Sequence, residues 1–186
     1  MHQLKLSSSE EARLHFAVEI GLASSAMMRL YQKGSTKVLQ DKILAKPRAF
    51  EAETEEQYKS IHRIICNWGT RNIELSKGNG HASYGQIAKT LDVALKVIIY
   101  FCHLPDCDKS KRISKWLNAP VDTNMMAWLK KLYPEDAKSW PTTLGGVDDD
   151  LYASIQRIVR KFIDEERSGD ITPVEFDNIY WEALNR

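Results

Sequence analysis

Residues 77–83, Lys-Gly-Asn-Gly-His-Ala-Ser, put a cation, two glycines, an imidazole and a hydroxyl directly in front of a strongly apolar run. Amides at the start of a helix point outward and favour anions, and glycine lets a ligand approach the backbone closely. The residues expected to bind an anionic ligand are therefore Lys77, Gly78, Gly80, His81 and Ser83. Of these, His81 and Ser83 are the candidates for catalytic acid-base or hydroxyl chemistry. A surface connector would use the same glycines, and the spacing is not the G-x-x-x-x-G-K-[ST] of a phosphate loop.

A second constellation is basic. Lys109, Lys111, Arg112 and Lys115 fall within seven positions beside Trp116, a combination suited to phosphate contact with base stacking. A solvated helix face with Trp116 in the core has the same composition. His62 and Cys66 lie four apart on one helix face, and Cys102, His103 and Cys107 follow later. These are zinc-ligand types, but C-x4-C is not a zinc-knuckle spacing, so they are expected to be reduced core thiols, with no metal or cofactor.

Residues 164–175, DEERSGDITPVE, resemble an EF-hand loop, with Asp164 first, Gly169 sixth and Glu175 twelfth. Glu166 at the third position, Ser168 at the fifth and Pro173 depart from that pattern. A Gly169 helix stop followed by a Thr172-Pro173 helix start explains the same residues by capping alone. Neither a Ser/His/acid or Cys/His signature nor the R-x4-6-H motif of HEPN-type ribonucleases occurs.

The chain of 186 residues is 43% hydrophobic and 27% charged, with a formal net charge of +1, which places it among ordinary globular proteins. No apolar run is long enough to span a membrane, and the first twenty residues lack a signal peptide's apolar core; a cytoplasmic protein is expected. Three cysteines are too few for a disulfide scaffold. Charge is uneven: residues 1–50 carry eight Lys/Arg against four Asp/Glu, and residues 148–186 carry five against ten. Such polarity implies either a polarised surface or opposite faces packed together.

The elements that must position these groups are helices. Ser8 with Glu11 predicts a capping box and a helix over 8–33, stopped by Gly34, with Leu14, Val18, Leu22 and Leu30 inward and Gly21 allowing close approach of a neighbour. A short helix over 37–44 precedes Pro47. Thr54 with Gln57 starts the next, carrying Tyr58, Ile61, Ile65 and Trp68, and Gly69 either ends it or is passed by another turn. A basic helix is expected over 110–117, then one capped by Asp122 or Thr123. After a Pro- and Gly-rich loop at 134–147 comes a stripe of Leu151, Ile155, Ile158 and Phe162. A last helix starts at Thr172, Pro173 and Glu175.

The stretch SYGQIAKTLDV, 83–93, resembles the first helix and turn of helix-turn-helix modules, and YGQIA resembles a short stretch of the alkyltransferase DNA-repair proteins. A recognition helix must present polar side chains to base edges, whereas ALKVIIYFC, which follows, contains only Lys96 as a charge. The Pro-Cys-His-Arg segment that bears the alkyltransferase thiol does not occur. Ser83 and Gln86 instead cap one helix over 84–103, apolar on most sides, with Leu91, Leu95, Ile98 and Cys102 on one face and Val97 hidden.

The expectation is an all-α, single-domain bundle spanning 1–186, with six to eight helices around the 84–103 helix and 148–186 as a candidate helical hairpin subdomain. Its expected function is binding or regulation through a macromolecular partner. That partner is a protein, a second copy of the chain included, or alternatively nucleic acid, and not a membrane. The competing expectation is a small helical enzyme acting on nucleic acid or a phosphorylated ligand, such as a ribonuclease-like effector, with Lys77, His81 and Ser83 at its site and Lys111 and Arg112 as contacts.

Overall fold

The computed structural model describes residues 8–78 and 80–184 and contains eight α-helices among them. In chain order these are α1 (Ser9–Ser24), α2 (Ser35–Leu44), α3 (Glu55–Asn72), α4 (Tyr84–Leu95), α5 (Cys107–Ser114), α6 (Thr123–Leu132), α7 (Asp149–Arg167) and α8 (Pro173–Leu184). No strand forms among the described residues; two isolated bridges, Tyr31 with Leu75 and Glu74 with His81, are the only β pairing there. The bundle is all-α, as expected.

The capping residues behave as their chemistry requires. Ser8 and Glu11 close a reciprocal box at α1, Ser83 and Gln86 another at α4, and Thr172 and Glu175 a third at α8. At α3 the Thr54 hydroxyl accepts from Gln57, but the Gln57 side chain reaches one residue further back, to the Glu53 amide at 2.7 Å.

α4 is the centre of the packing. α1 lies against it at Gly21, where an added Cβ would stand 2.8 Å from the Ala94 Cα, and α3 meets it at Gly69, where one would stand 2.6 Å from Ile87. Small residues at both crossings let backbones approach that side chains would hold apart. Gly69 therefore does not stop α3, which runs on to Asn72. The loop before α7 is packed rather than loose: Trp140, Leu144 and Val147 are buried, and Gly85 sits against Val147.

Four expectations are corrected. The first helix does not reach residue 33: Ser25 turns extended, and a 3-10 segment, Ala26–Leu30, follows. The cause is a buried polar contact, in which the Tyr31 hydroxyl donates to the Gln86 carbonyl at 2.8 Å and lies 2.9 Å from Thr90, drawing the chain onto α4. Leu30 consequently faces outward, 41% exposed. The basic helix starts at Cys107 rather than 110, because Asp106 accepts from the amides of Asp108 and Lys109.

The fourth correction concerns the end of the central helix. After Leu95 the chain widens into a π-helical turn, Lys96–Phe101, with the Cys102 amide donating to Val97, five residues back. At α spacing Phe101 would fall three residues after Ile98 on the buried side; the wider turn swings it off that side. Ile98 and Ile99 are fully buried, Val97 is half-buried rather than hidden, and Phe101 is 56% exposed. His103 then takes a left-handed conformation at φ 53°, and the Leu104 amide donates to Ile98 to close the helix.

Candidate functional site

Two places in the bundle collect chemistry-bearing side chains, and they differ in access. The first lies between α3, α4 and α7. Tyr58, His62 and Cys66 recur every four residues and so share one face of α3. The His62 Nε2 lies 2.9 Å from Asp92 Oδ1 on α4, its Nδ1 lies 3.7 Å from Cys66 Sγ, and the Tyr152 hydroxyl on α7 donates to Asp92 Oδ2 at 2.5 Å. The His62 and Tyr152 rings stack at 5.7 Å.

Thiol, imidazole and carboxylate in that order are the parts of a thiol nucleophile with its base and orienting acid. Burial decides what they do here. His62 is 3% exposed, Asp92 2% and Cys66 0%. Burial pushes the Cys66 thiol up, and a neutral, enclosed thiol is a poor nucleophile. At His62 burial opposes the charged ring, but the Asp92 carboxylate 2.9 Å away, with the Cys66 sulfur as a further partner, holds the imidazole well above its usual range. His62, Asp92 and Tyr152 satisfy one another and so tie α3, α4 and α7 together. The pairing of His62 with Cys66 was legible from their spacing. Asp92 was missed, although a carboxylate among Thr90, Leu91 and Val93 was the available signal.

The second place is the surface around Phe101. On one side lies a groove of about 480 Å³ bordered by Ser24, Val93, Val97, Phe101, Pro120 and Trp181. Lys96 crosses its floor to Asp177 at 2.6 Å and sits 5.8 Å from the Phe101 ring centre. Burial of Asp177 raises its pKa, with Lys96 pulling the other way. On α1, Ile20 and Phe16 continue the Ser24 side at helical spacing and are 41% and 64% exposed, with Trp181 at 65%. On the other side of Phe101 is a cleft of about 750 Å³ lined by Tyr100, His103, Lys111, Lys115 and Thr172.

The glycine loop is placed differently. The Ala82 amide donates to Ile73 and the Leu75 amide to Gly80, folding 73–82 back on itself. Gly78, Gly80 and His81 line a small cleft of about 310 Å³ with Gln32 and Glu74, and Lys77 and Ser83 lie outside it. The Ser83 hydroxyl is committed, donating to the Leu144 carbonyl at 2.6 Å and accepting from the Gln86 amide. Gly78 needs its glycine, at φ 89°.

The basic run divides. Lys109 and Arg112 both pair with Glu53, at 3.2 and 2.6 Å, and the Arg112 guanidinium stands 6.0 Å from the half-buried Trp116 ring. Lys111 and Lys115 are exposed and face the cleft beside Phe101. Lys111 and Arg112, expected together, thus serve different sides of α5. In 164–175, Ser168 and Gly169 both take left-handed conformations that end α7, and Thr172 caps α8. Among the described residues no three His, Cys, Asp or Glu side chains converge on a metal position. No ion pair there joins residues 8–50 to 148–184; the acidic end pairs instead with Arg63 and Lys96, while its own Lys161 pairs with Asp136.

No helix is long and apolar enough to cross a membrane among the described residues. Compared with known proteins, the chain matches no family model, no curated protein and no solved structure.

Proposed function

We propose that this chain is a binding module, recognising a protein partner, a second copy of itself included, through the apolar groove that Phe101 borders. The observation that carries this is the exposure of Phe101 at the end of an otherwise buried helix. The groove that Phe101 borders also takes Ser24 of α1 and the exposed Trp181 of α8, and Phe16 and Ile20 of α1 are exposed as well. Contiguous exposed apolar surface rimmed by charge is what protein interaction sites present, and aromatic residues set in pockets dominate their energetics. Two ion pairs, Lys96–Asp177 and Lys89–Asp122, line the same groove and supply its charge. The sealed Cys66–His62–Asp92 cluster supports the same conclusion, since a nucleophile without access does no chemistry on a substrate.

The test compares the wild type with Phe101→Asp and Ile20→Asp variants that keep the native circular dichroism spectrum. Sedimentation equilibrium reads self-association, and affinity capture reads a different protein. Either mode should weaken at least tenfold in both variants. Retention of the same partner at the same strength by both variants would refute the proposal.

A further inference from the structure

We infer that the cleft on the other side of Phe101, between α5 and the loop leading into α8, holds a segment of single-stranded nucleic acid. This goes beyond the protein-binding proposal and shares only Phe101 with it.

Four observations carry it. First, the cleft has an aromatic wall: Tyr100 and Phe101 meet edge to face at 5.1 Å, with Phe101 more than half exposed. A ring presented in this way offers a stacking surface to any base. Second, α5 separates its cations by helical spacing. Lys109 and Arg112, three apart, are neutralised by Glu53 on one side, while Lys111 and Lys115, four apart, face the cleft without an ion-pair partner among the described residues. Third, the acid that lines the cleft is occupied: Glu175 accepts from both the amide and the hydroxyl of Thr172, at 2.8 Å each. Fourth, the cleft continues. A neighbouring one of about 440 Å³ shares Lys115 and Thr172 with it and adds Arg160. Two carboxylates, Asp164 and Asp170, also line this neighbouring cleft.

Aromatic faces for bases, followed by Lys111, Lys115 and Arg160 at intervals for phosphates, describe a track for a strand rather than a pocket closed round one nucleotide. The exposed His103 imidazole, held out by its left-handed backbone, adds a donor where the track begins.

The experiment is fluorescence anisotropy of the full chain with fluorescein-labelled oligo-dT and oligo-rU of about twelve nucleotides, over a salt series. Salt-dependent binding is expected for the wild type. Phe101→Ala should weaken it about tenfold, the scale of one lost stacking contact. The Lys111→Gln/Lys115→Gln double variant should flatten the salt slope by about 1.4, two phosphates at roughly 0.7 each. Lys109→Gln/Arg112→Gln and Ile20→Asp should bind as the wild type does.

The inference is overturned by no binding at low salt, by equal loss when Lys109 and Arg112 are replaced, or by full competition from AMP at equal nucleotide concentration. It is likewise overturned if Lys111 and Lys115 prove necessary for a protein partner and not for oligonucleotide. Ile20→Asp keeps the two proposals apart, because it reports on the apolar groove alone.

Discussion

The central helix starts and ends in opposite ways. Its α-helical part, α4, turns Ala88, Leu91 and Ala94 into the core and brings Asp92 onto His62 and Tyr152, so that every group on that side is enclosed. Its π-helical end keeps Ile98 and Ile99 enclosed but puts Phe101 and His103 at the surface. One continuous apolar run thus yields both an enclosed polar cluster and an exposed aromatic edge. The difference teaches that the residue types of a nucleophilic site are not evidence of a site unless something can reach them. It also teaches that one widened turn is enough to bring part of an apolar run out of the core to the surface; such turns are frequent at functional sites.

The comparison breaks most visibly at two positions three residues apart. Ile98→Asp should abolish the cooperative thermal transition, since it places a carboxylate in a fully enclosed site. Phe101→Asp should leave that transition in place. If both variants unfold, or neither does, the two halves are not as different as described.

Asp92→Ala should come next, costing about 3–5 kcal/mol in a urea titration, because it leaves the His62 ring and the Tyr152 hydroxyl buried without their acceptor. A loss below about 1 kcal/mol, the size of a typical surface change, would mean that the cluster is wetter than its burial implies.

The same cluster has a pH signature. The His62 pKa is raised in the folded chain, so the folded state holds a proton that the unfolded state, with an imidazole near about 6.5, gives up. The stabilisation is fully present below about pH 6.5 and is lost as pH rises through the folded value. Melting temperature should therefore fall between neutral and mildly alkaline pH, and His62→Gln should remove that part of the slope. An identical slope in the variant would contradict the assignment. The smallest effect should be that of Phe101→Ala on stability, within about 0.5 kcal/mol of the wild type.

What was legible in the sequence was local. The boxes at Ser8, Ser83 and Thr172 depend on residues three apart, and the burial of Leu91, Leu95 and Ile98 follows from apolar spacing. What was not legible depended on partners far along the chain. Ser25 breaks the first helix because Tyr31 is held by Gln86 and Thr90, and Arg112 is neutralised by Glu53, 59 residues away. The π turn has no periodicity of its own to announce it, and at α spacing Phe101 would fall on the buried side with Ile98. Of the four basic candidates beside Trp116, Lys109, Lys111, Arg112 and Lys115, only Lys111 and Lys115 line the cleft with Tyr100 and Phe101, a division that the sequence does not announce.

Hydroxyl-radical footprinting of the folded chain tests the contrast directly, because oxidation rate follows side-chain exposure. Phe101 and Trp181 should be oxidised rapidly in the free protein, while Tyr58 and Tyr152, packed on the His62 cluster, should react only on unfolding. Oxidation of Tyr152 at a rate comparable to Phe101, or protection of Phe101 in the isolated chain, would contradict the account.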